Sequence, residues 1–458
     1  MPSLVSRNKF LIWLALGGIL ALAAYLRYTA VTESLVWSPY RADAAQYYNY
    51  AYNLRRYGIY SHAQDFDNKH PEKLKPDAFR TPGYPLFLSI FTTQPPNNAT
   101  LRTIELWQAV LGTLTVLIIF MIFRIIVPPW VAICATLLTA VSPHLVNTTI
   151  YVLSETLFTF VVALVVMALT LQFGKRKWFV LSMLVTGILI GLAALTRPVL
   201  EYFLPCVMFL LFLSYVRNRA FKGSVVLVLG FLLIWGPWVA RNYISVKTSD
   251  NQLMMGTLHQ GMYPGLMYKN NPQTLAYPYS FDPTYKEDNK DMPSVMRAIY
   301  RQFKQNPTEE TAWYLFGKPV MLWSWSSIAG AGDVFIYPTP ISPYSNSQVF
   351  RITHAFMYGW RWPLVIAALL ACVLVWLPIT KRLFDNNQLF LLRAMSLLLF
   401  YNTGILMIGA PFPRYSIPFL PILFGMAIVF AFVAYRYLNK LRQQSRAAYT
   451  AKQTLKVR

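Results

Sequence analysis

Two acids and six arginines stand where a mostly apolar chain has little structural use for charge: Asp43, Glu155, Arg55, Arg56, Arg80, Arg197, Arg241 and Arg414. Asp43 lies beyond the first apolar run, in Arg41-Ala42-Asp43-Ala44-Ala45-Gln46-Tyr47-Tyr48. A carboxylate there can take a proton from an attacking hydroxyl or amine, which typically contributes ~10²–10⁴-fold to a rate. The plainer use is a helix N-cap, and the residues alone leave both open. Glu155 opens an apolar run, where it either complements the helix dipole or faces a cavity. Arginine's planar fork can hold two oxygens of one phosphate. Near a helix end it can also simply snorkel to head groups.

The elements that must position these groups are membrane helices. Apolar residues make up 56% of the chain and DEKR 13%, against roughly 25% charged residues in soluble domains. Residues 10–26 form a run long enough to span and too long for a signal-peptide core. Ten spans are predicted, near 10–28, 104–126, 129–143, 155–173, 178–195, 199–216, 223–240, 356–377, 388–408 and 416–436. Arg7 and Lys9, the stretches 175–177 and 217–222, Lys381-Arg382 and the basic tail 437–458 all then fall on one side. By the positive-inside rule that side is the cytoplasm, with both termini in it and the protein in the inner or plasma membrane.

Two long loops land outside. The first, 29–103, holds Asp43, Arg55, Arg56 and Arg80-Thr81-Pro82-Gly83-Tyr84-Pro85. The second, 241–355, is expected to form a small mixed subdomain, with an amphipathic helix near 294–305 and a strand at Gly256–Met262 acting as a lid. The expected fold is thus an all-α polytopic membrane protein in four parts: a transmembrane module 1–240, the loop subdomain 241–355, helices within 356–436 and the tail. Short outer turns add His144, Arg197, Arg241 and Arg414. Ionisable residues recurring at helix ends on one face mark a polar cavity. The net charge of +23 is spread along membrane-flanking loops. That suits lipid head groups or a phosphate-bearing lipid rather than nucleic acid.

At these motifs the chain resembles the GT-C class of integral-membrane glycosyltransferases, in the branch of the protein O-mannosyltransferases and the lipid A aminoarabinose transferase. The resemblance rests on Asp43, the Tyr-rich segment to Arg56-Tyr57-Gly58 and Arg80–Pro85. It continues through Ser154-Glu155, Leu195–Pro198, Pro237–Tyr243 and Arg414-Tyr415 with Pro418 and Pro421. It implies transfer of a sugar from a polyprenyl phosphate on the outer face, with inversion at the anomeric carbon. Asp43 would then be the catalytic carboxylate, Arg80 a donor-phosphate contact with Arg55, Arg56, Arg197, Arg241 and Arg414 as further candidates, and Glu155 the second acid. Tyr47, Tyr84, His144 and His259 are candidate contacts to the substrate, although the tyrosines also suit an interfacial belt.

No metal is required by this reading. The histidines at 62, 70, 144, 259 and 354 lack metal-binding spacing. His62, Asp65, Asp67 and His70 share one loop, which solvation accounts for. Cys134, Cys206 and Cys372 all sit in apolar runs, which excludes a disulfide framework. No Gly-rich phosphate loop is present, which speaks against nucleotide chemistry. A glycolipid transporter or flippase would place its polar groups near the midplane instead. A ligase or polymerase using a diphosphate carrier is the other alternative. The acceptor, whether glycan, lipid or protein, and the identity of the sugar are not legible.

Overall fold

The computed structural model describes residues 2–66, 72, 74–173, 178–247, 252–266, 282–324 and 337–456. All of the regular structure in them is helical, with one isolated bridge between Leu35 and Ile341. Among the described residues, eight helices are long and apolar enough to cross a membrane. The bent pair Pro129–Val141 and Pro143–Ile150 is a broken span or a re-entrant loop, and the run near 199–216 forms the shorter apolar helix Pro198–Ser214. The chain is a multi-pass membrane protein, and its ten apolar runs correspond to these ten elements.

The helices that carry the site are α1 (Pro2–Glu33), α2 (Ala42–Tyr57), α3 (Gly83–Ser89), α4 (Asn98–Ile126), α5 (Pro129–Val141), α6 (Pro143–Asn147), α7 (Glu155–Thr170), α8 (Trp178–Thr196), α9 (Leu204–Ser214) and α10 (Arg217–Ser245). After them come α11 (Gln252–Gly261), α12 (Met292–Gln305), α13 (Gln348–Leu374), α14 (Asn386–Ile408), and α15 (Leu420–Lys456), which follows the 3₁₀ turn Pro413–Phe419. The predicted end of the last span at 436 is therefore not a helix end, since the basic tail continues the same helix.

Small residues set the tightest crossing. A Cβ on Gly187 would lie 2.1 Å from Leu227 O, and one on Gly230 would lie 2.4 Å from Leu184 O, so α8 and α10 approach backbone to backbone. Close approach of this kind drives helix association where lipid removes the hydrophobic term. The break between α5 and α6 has its own compensation. Arg27, buried in α1, donates from Nη1 to Ala140 O at 3.1 Å and from Nη2 to Thr139 O at 3.4 Å. Its guanidinium thereby satisfies carbonyls that the interrupted helix leaves open.

Both long loops sit at the same end of the bundle and are laced together. Leu35 N donates to Ile341 O at 3.0 Å and Trp37 N to Pro338 O at 2.8 Å. The second loop differs from the mixed subdomain expected of it. Gly256–Met262, read as a strand, lies in and just beyond helix α11, and the other described elements of that loop are short helices. The amphipathic segment near 294–305 is α12, with Val295 and Ala298 buried and Asp291 as its N-cap. The aromatic stretch from Trp313 runs through a π turn to Gly317 and a short helix to Leu322. That turn is pinned by Trp313 Nε1 donating to Gly261 O at 2.9 Å.

Candidate active site

Asp43 does not cap its helix. Arg41 occupies the N-cap position with no side-chain cap, and Ala42 has a φ of 42°, a left-handed backbone unfavourable for alanine. Strain of this kind persists only where the surroundings hold it, and it clusters at functional sites. Here the Tyr337 hydroxyl holds it, accepting from Ala44 N at 3.2 Å and donating to Arg41 O at 3.1 Å. The outcome is a carboxylate turned inward. Arg80 Nη2 donates to Asp43 Oδ1 at 2.6 Å and Arg414 Nη2 to Oδ2 at 2.7 Å.

Arg414 also reaches back, its Nε 3.7 Å from Glu155 Oε1, and Arg197 Nη1 lies 3.0 Å from the same oxygen. Five residues spread from position 43 to position 414 therefore form one ionic chain: Arg80, Asp43, Arg414, Glu155, Arg197. Glu155 is buried at 2% side-chain exposure, whereas Asp43 and Arg414 each keep 26%. The chain has an interior end and an accessible end. Three guanidiniums face two carboxylates, which leaves one surplus positive charge. Burial resists ionisation of Asp43, but Arg414 and Arg80 overcome it and hold the carboxyl down at about 2.

Each arginine is aimed by neighbours. Gln46, one helical turn from Asp43 on α2, accepts from Arg80 Nε at 2.9 Å and from its Nη2 at 2.7 Å. The Arg80 guanidinium lies 5.3 Å from the Tyr47 ring centroid, and Tyr47 packs edge-on against Tyr84. Tyr415 lies under both Arg197 and Arg414, at 5.1 Å and 5.6 Å. Asp77 fixes the segment leading to Arg80, accepting from Tyr50 Oη, His62 N and ring Nδ1, and Phe79 N. Gly83 lets this segment lie on the end of α8, since a Cβ there would be 2.6 Å from Thr196 N, one residue before Arg197.

The remaining predicted residues lie elsewhere. Tyr84 is buried and donates to Gln108 Oε1 at 2.8 Å, a packing role beneath the site. His144 is buried on α6. Arg55 is exposed and donates to Ser89 O and Ile90 O; Arg56 is exposed beside it. Arg241 ties the end of α10 to the first loop through Asp77 O at 2.6 Å and Tyr60 O at 3.1 Å. His259 is buried in the second loop against Tyr263 and Tyr285. Of the cluster around His62, the partner is Asp77, while Asp67 and His70 lie outside the described residues. Gln46, Tyr415, Tyr337 and Asp77 are the additions. The first was legible as the residue at i+3 from Asp43 and the second as the neighbour of Arg414; Tyr337, 293 positions from Ala44, carried no such signal.

Residues 77–239 match the family described as dolichyl-phosphate-mannose-protein mannosyltransferase. A search of curated proteins finds no sequence match. In fold, the chain is similar to the archaeal oligosaccharyltransferase AglB from Archaeoglobus fulgidus in complex with an inhibitory peptide and a dolichol-phosphate. The TM-score is 0.52 at 13% identity, over 96% of this chain and 52% of that one. The apo form of the Archaeoglobus fulgidus oligosaccharyltransferase gives a TM-score of 0.53, also at 13% identity, over 96% and 52%. ArnT from Cupriavidus metallidurans bound to undecaprenyl phosphate gives 0.41 at 12% identity, over 92% and 78%. The chain thus spans about half the length of the oligosaccharyltransferase it resembles. In fold, and in sequence across the segment that contains Arg80, Glu155 and Arg197, the chain resembles the GT-C class of membrane glycosyltransferases on its mannosyltransferase side.

Proposed function

We propose that this protein is an inverting glycosyltransferase that moves a sugar from a polyprenyl monophosphate to an acceptor hydroxyl or amine on the extracytoplasmic face. The observation that carries the reading is the grip on Asp43, each of whose oxygens is held by a different guanidinium brought from a distant part of the chain. An arginine that rests on a carboxylate is already placed and desolvated to receive a phosphate oxygen.

Charge accounting favours a monophosphate. The cluster carries one surplus positive charge, from three arginines and two acids. A sugar phosphodiester carries one negative charge, so donor and site neutralise each other. In the reaction the nucleophile attacks the anomeric carbon, the bond from carbon to phosphate oxygen breaks, and the polyprenyl phosphate leaves with a second negative charge. Asp43 takes the nucleophile's proton and loses its own charge. The site becomes doubly positive as the phosphate becomes doubly negative, and balance holds on both sides of the transition state. A diphosphate donor would overfill the same cluster by one charge.

The low basicity of Asp43 in the ligand-free state is then a resting condition. As phosphate draws Arg80 and Arg414 onto itself, the carboxylate loses what depressed it and becomes a competent base. The likeness to an oligosaccharyltransferase favours a second reading, a ligase for longer lipid-linked glycans. One assay separates the two. Purified protein in lipid vesicles is given defined polyprenyl monophosphate and diphosphate sugars with a cell-envelope acceptor fraction, and release of the lipid phosphate is followed. Turnover of a monophosphate sugar that Asp43→Asn abolishes is the expected result. Turnover of the diphosphate donor alone would overturn the monophosphate assignment, and activity untouched by Asp43→Asn would remove Asp43 as the base.

A further inference from the structure

The second loop contains a group of side chains that the transfer chemistry does not use. His259 on α11, Asp282 and Asp288 bring one ligand atom each to within 4.8 Å of one another. His259 is fully buried, and neither ring nitrogen has a hydrogen-bond partner among the described residues. An imidazole left unsatisfied on both sides is costly, because a buried polar atom without a partner gives up its solvation with nothing in return. We propose that His259, Asp282 and Asp288 bind a divalent transition-metal ion of the zinc type, which fastens α11 to the turn at 282–288.

Geometry and charge both suit an ion. Ligands at about 2.0–2.2 Å around a tetrahedral ion sit roughly 3.3–3.6 Å apart, so atoms that already lie within 4.8 Å of one another close on an ion with side-chain shifts of about an ångström. Two carboxylates and one nearby cation, Arg301 at 2.5 Å from Asp288 Oδ2, leave one negative charge for a divalent ion to meet. The carboxylates are also oriented from outside. Tyr263 Oη donates to Asp282, Thr284 Oγ1 lies 2.9 Å from Asp282 Oδ1 and 2.8 Å from Asp288 Oδ2, and Thr284 N donates to Asp282 Oδ1 at 2.8 Å. Outer partners of this kind fix metal ligands in place. One imidazole with two carboxylates is a donor set of intermediate hardness, matched to zinc or manganese rather than to copper(I).

The ion would brace the roof of the site rather than take part in chemistry. A Cβ on Gly261, two residues after His259, would be 2.3 Å from Gly409 O, so α11 rests on the backbone just before Pro413-Arg414. The proposal stands on this geometry and is independent of the transfer reading. For the test, full-length protein is stripped with a chelator, dialysed against zinc chloride or cobalt chloride, and its metal measured by mass spectrometry. One zinc per chain is expected, with a cobalt d–d absorption band and a higher melting temperature. The metal-free His259→Ala protein should melt with metal-free wild type, yet retain no zinc and gain no stability from it. Zinc content near zero in the wild type, or unchanged in both His259→Ala and Asp282→Asn, would overturn the site.

Discussion

The handover of arginines from Asp43 to the donor makes a prediction about pH that a static ion-pair network does not. In the free protein the Asp43 carboxyl is held at about 2 against an ordinary value of 3.8. That difference of nearly two pH units corresponds to ~2.5 kcal/mol. When phosphate takes Arg80 and Arg414, the depression is lost while burial, which raises the value, remains. In the complex the carboxyl should therefore titrate higher than in the free protein. The acid limb of kcat/KM reports the free enzyme and that of kcat the complex. Initial rates of lipid-phosphate release, measured at low and saturating donor, should show kcat falling as the medium is acidified while kcat/KM stays level. Stability does not blur the comparison. A depressed carboxyl stabilises the fold fully above its unfolded value of 3.8 and loses that contribution progressively as pH falls from there to about 2, so most of it is still present where kcat begins to fall. Coincident limbs would refute the handover.

Substitutions separate the roles further. Asp43→Asn should lower kcat by ~10²–10⁴-fold while binding lipid phosphate at least as well as wild type, because a charge opposing the phosphate is gone; a binding titration beside turnover checks both. Arg414→Gln removes the link between the two acids and should cost ~10²–10³-fold in kcat, with weaker lipid-phosphate binding in the same titration. Arg55→Ala should leave turnover near wild type, since among the described residues its guanidinium donates to the carbonyls at 89 and 90 and not to the ionic cluster. Gly83→Ala forces a carbon to 2.6 Å from Thr196 N. A loss of ~1–3 kcal/mol should appear as a lower melting temperature, with activity lost through displacement of Arg80 and Arg197.

How much of this was legible in the sequence depended on range. Helix existence was, because runs such as 104–126 and 178–195 have no other stable form in lipid. The bend at 142 was marked by Ser142-Pro143, but the arginine that makes it tolerable, Arg27, sits 112 residues from Thr139 and gave no local sign. At the site, sidedness and the motif resemblance together gathered Asp43 and Arg80 from the first long loop with Glu155, Arg197 and Arg414 from short turns on the same face. The same sidedness also admitted Arg55, Arg241 and His259, which the structure places in other contacts. Position along the membrane normal can be read from hydropathy, but azimuth around the bundle cannot. The segment 256–262 was misjudged for a related reason, because an isolated glycine-flanked stretch has no period to read, and its helix is fixed by Trp313 and by the backbone at Gly409.

Two acids among three arginines look wasteful for a site meant to attract phosphate. Without them, however, three guanidiniums would crowd together half-buried, repelling one another and losing hydration that nothing replaces. The carboxylates hold the arginines in place until a better anion arrives, and the two do so unequally. Glu155, at 2% exposure, is nearly sealed from solvent and has Arg197 beside it. Asp43, at 26%, sits where a ligand can reach. The interior acid therefore anchors and the outer acid exchanges. Only an acid that can surrender its arginines can become basic at the moment a proton must be removed. Of the two carboxylates in this cluster, the more exposed Asp43 is the one proposed for that role.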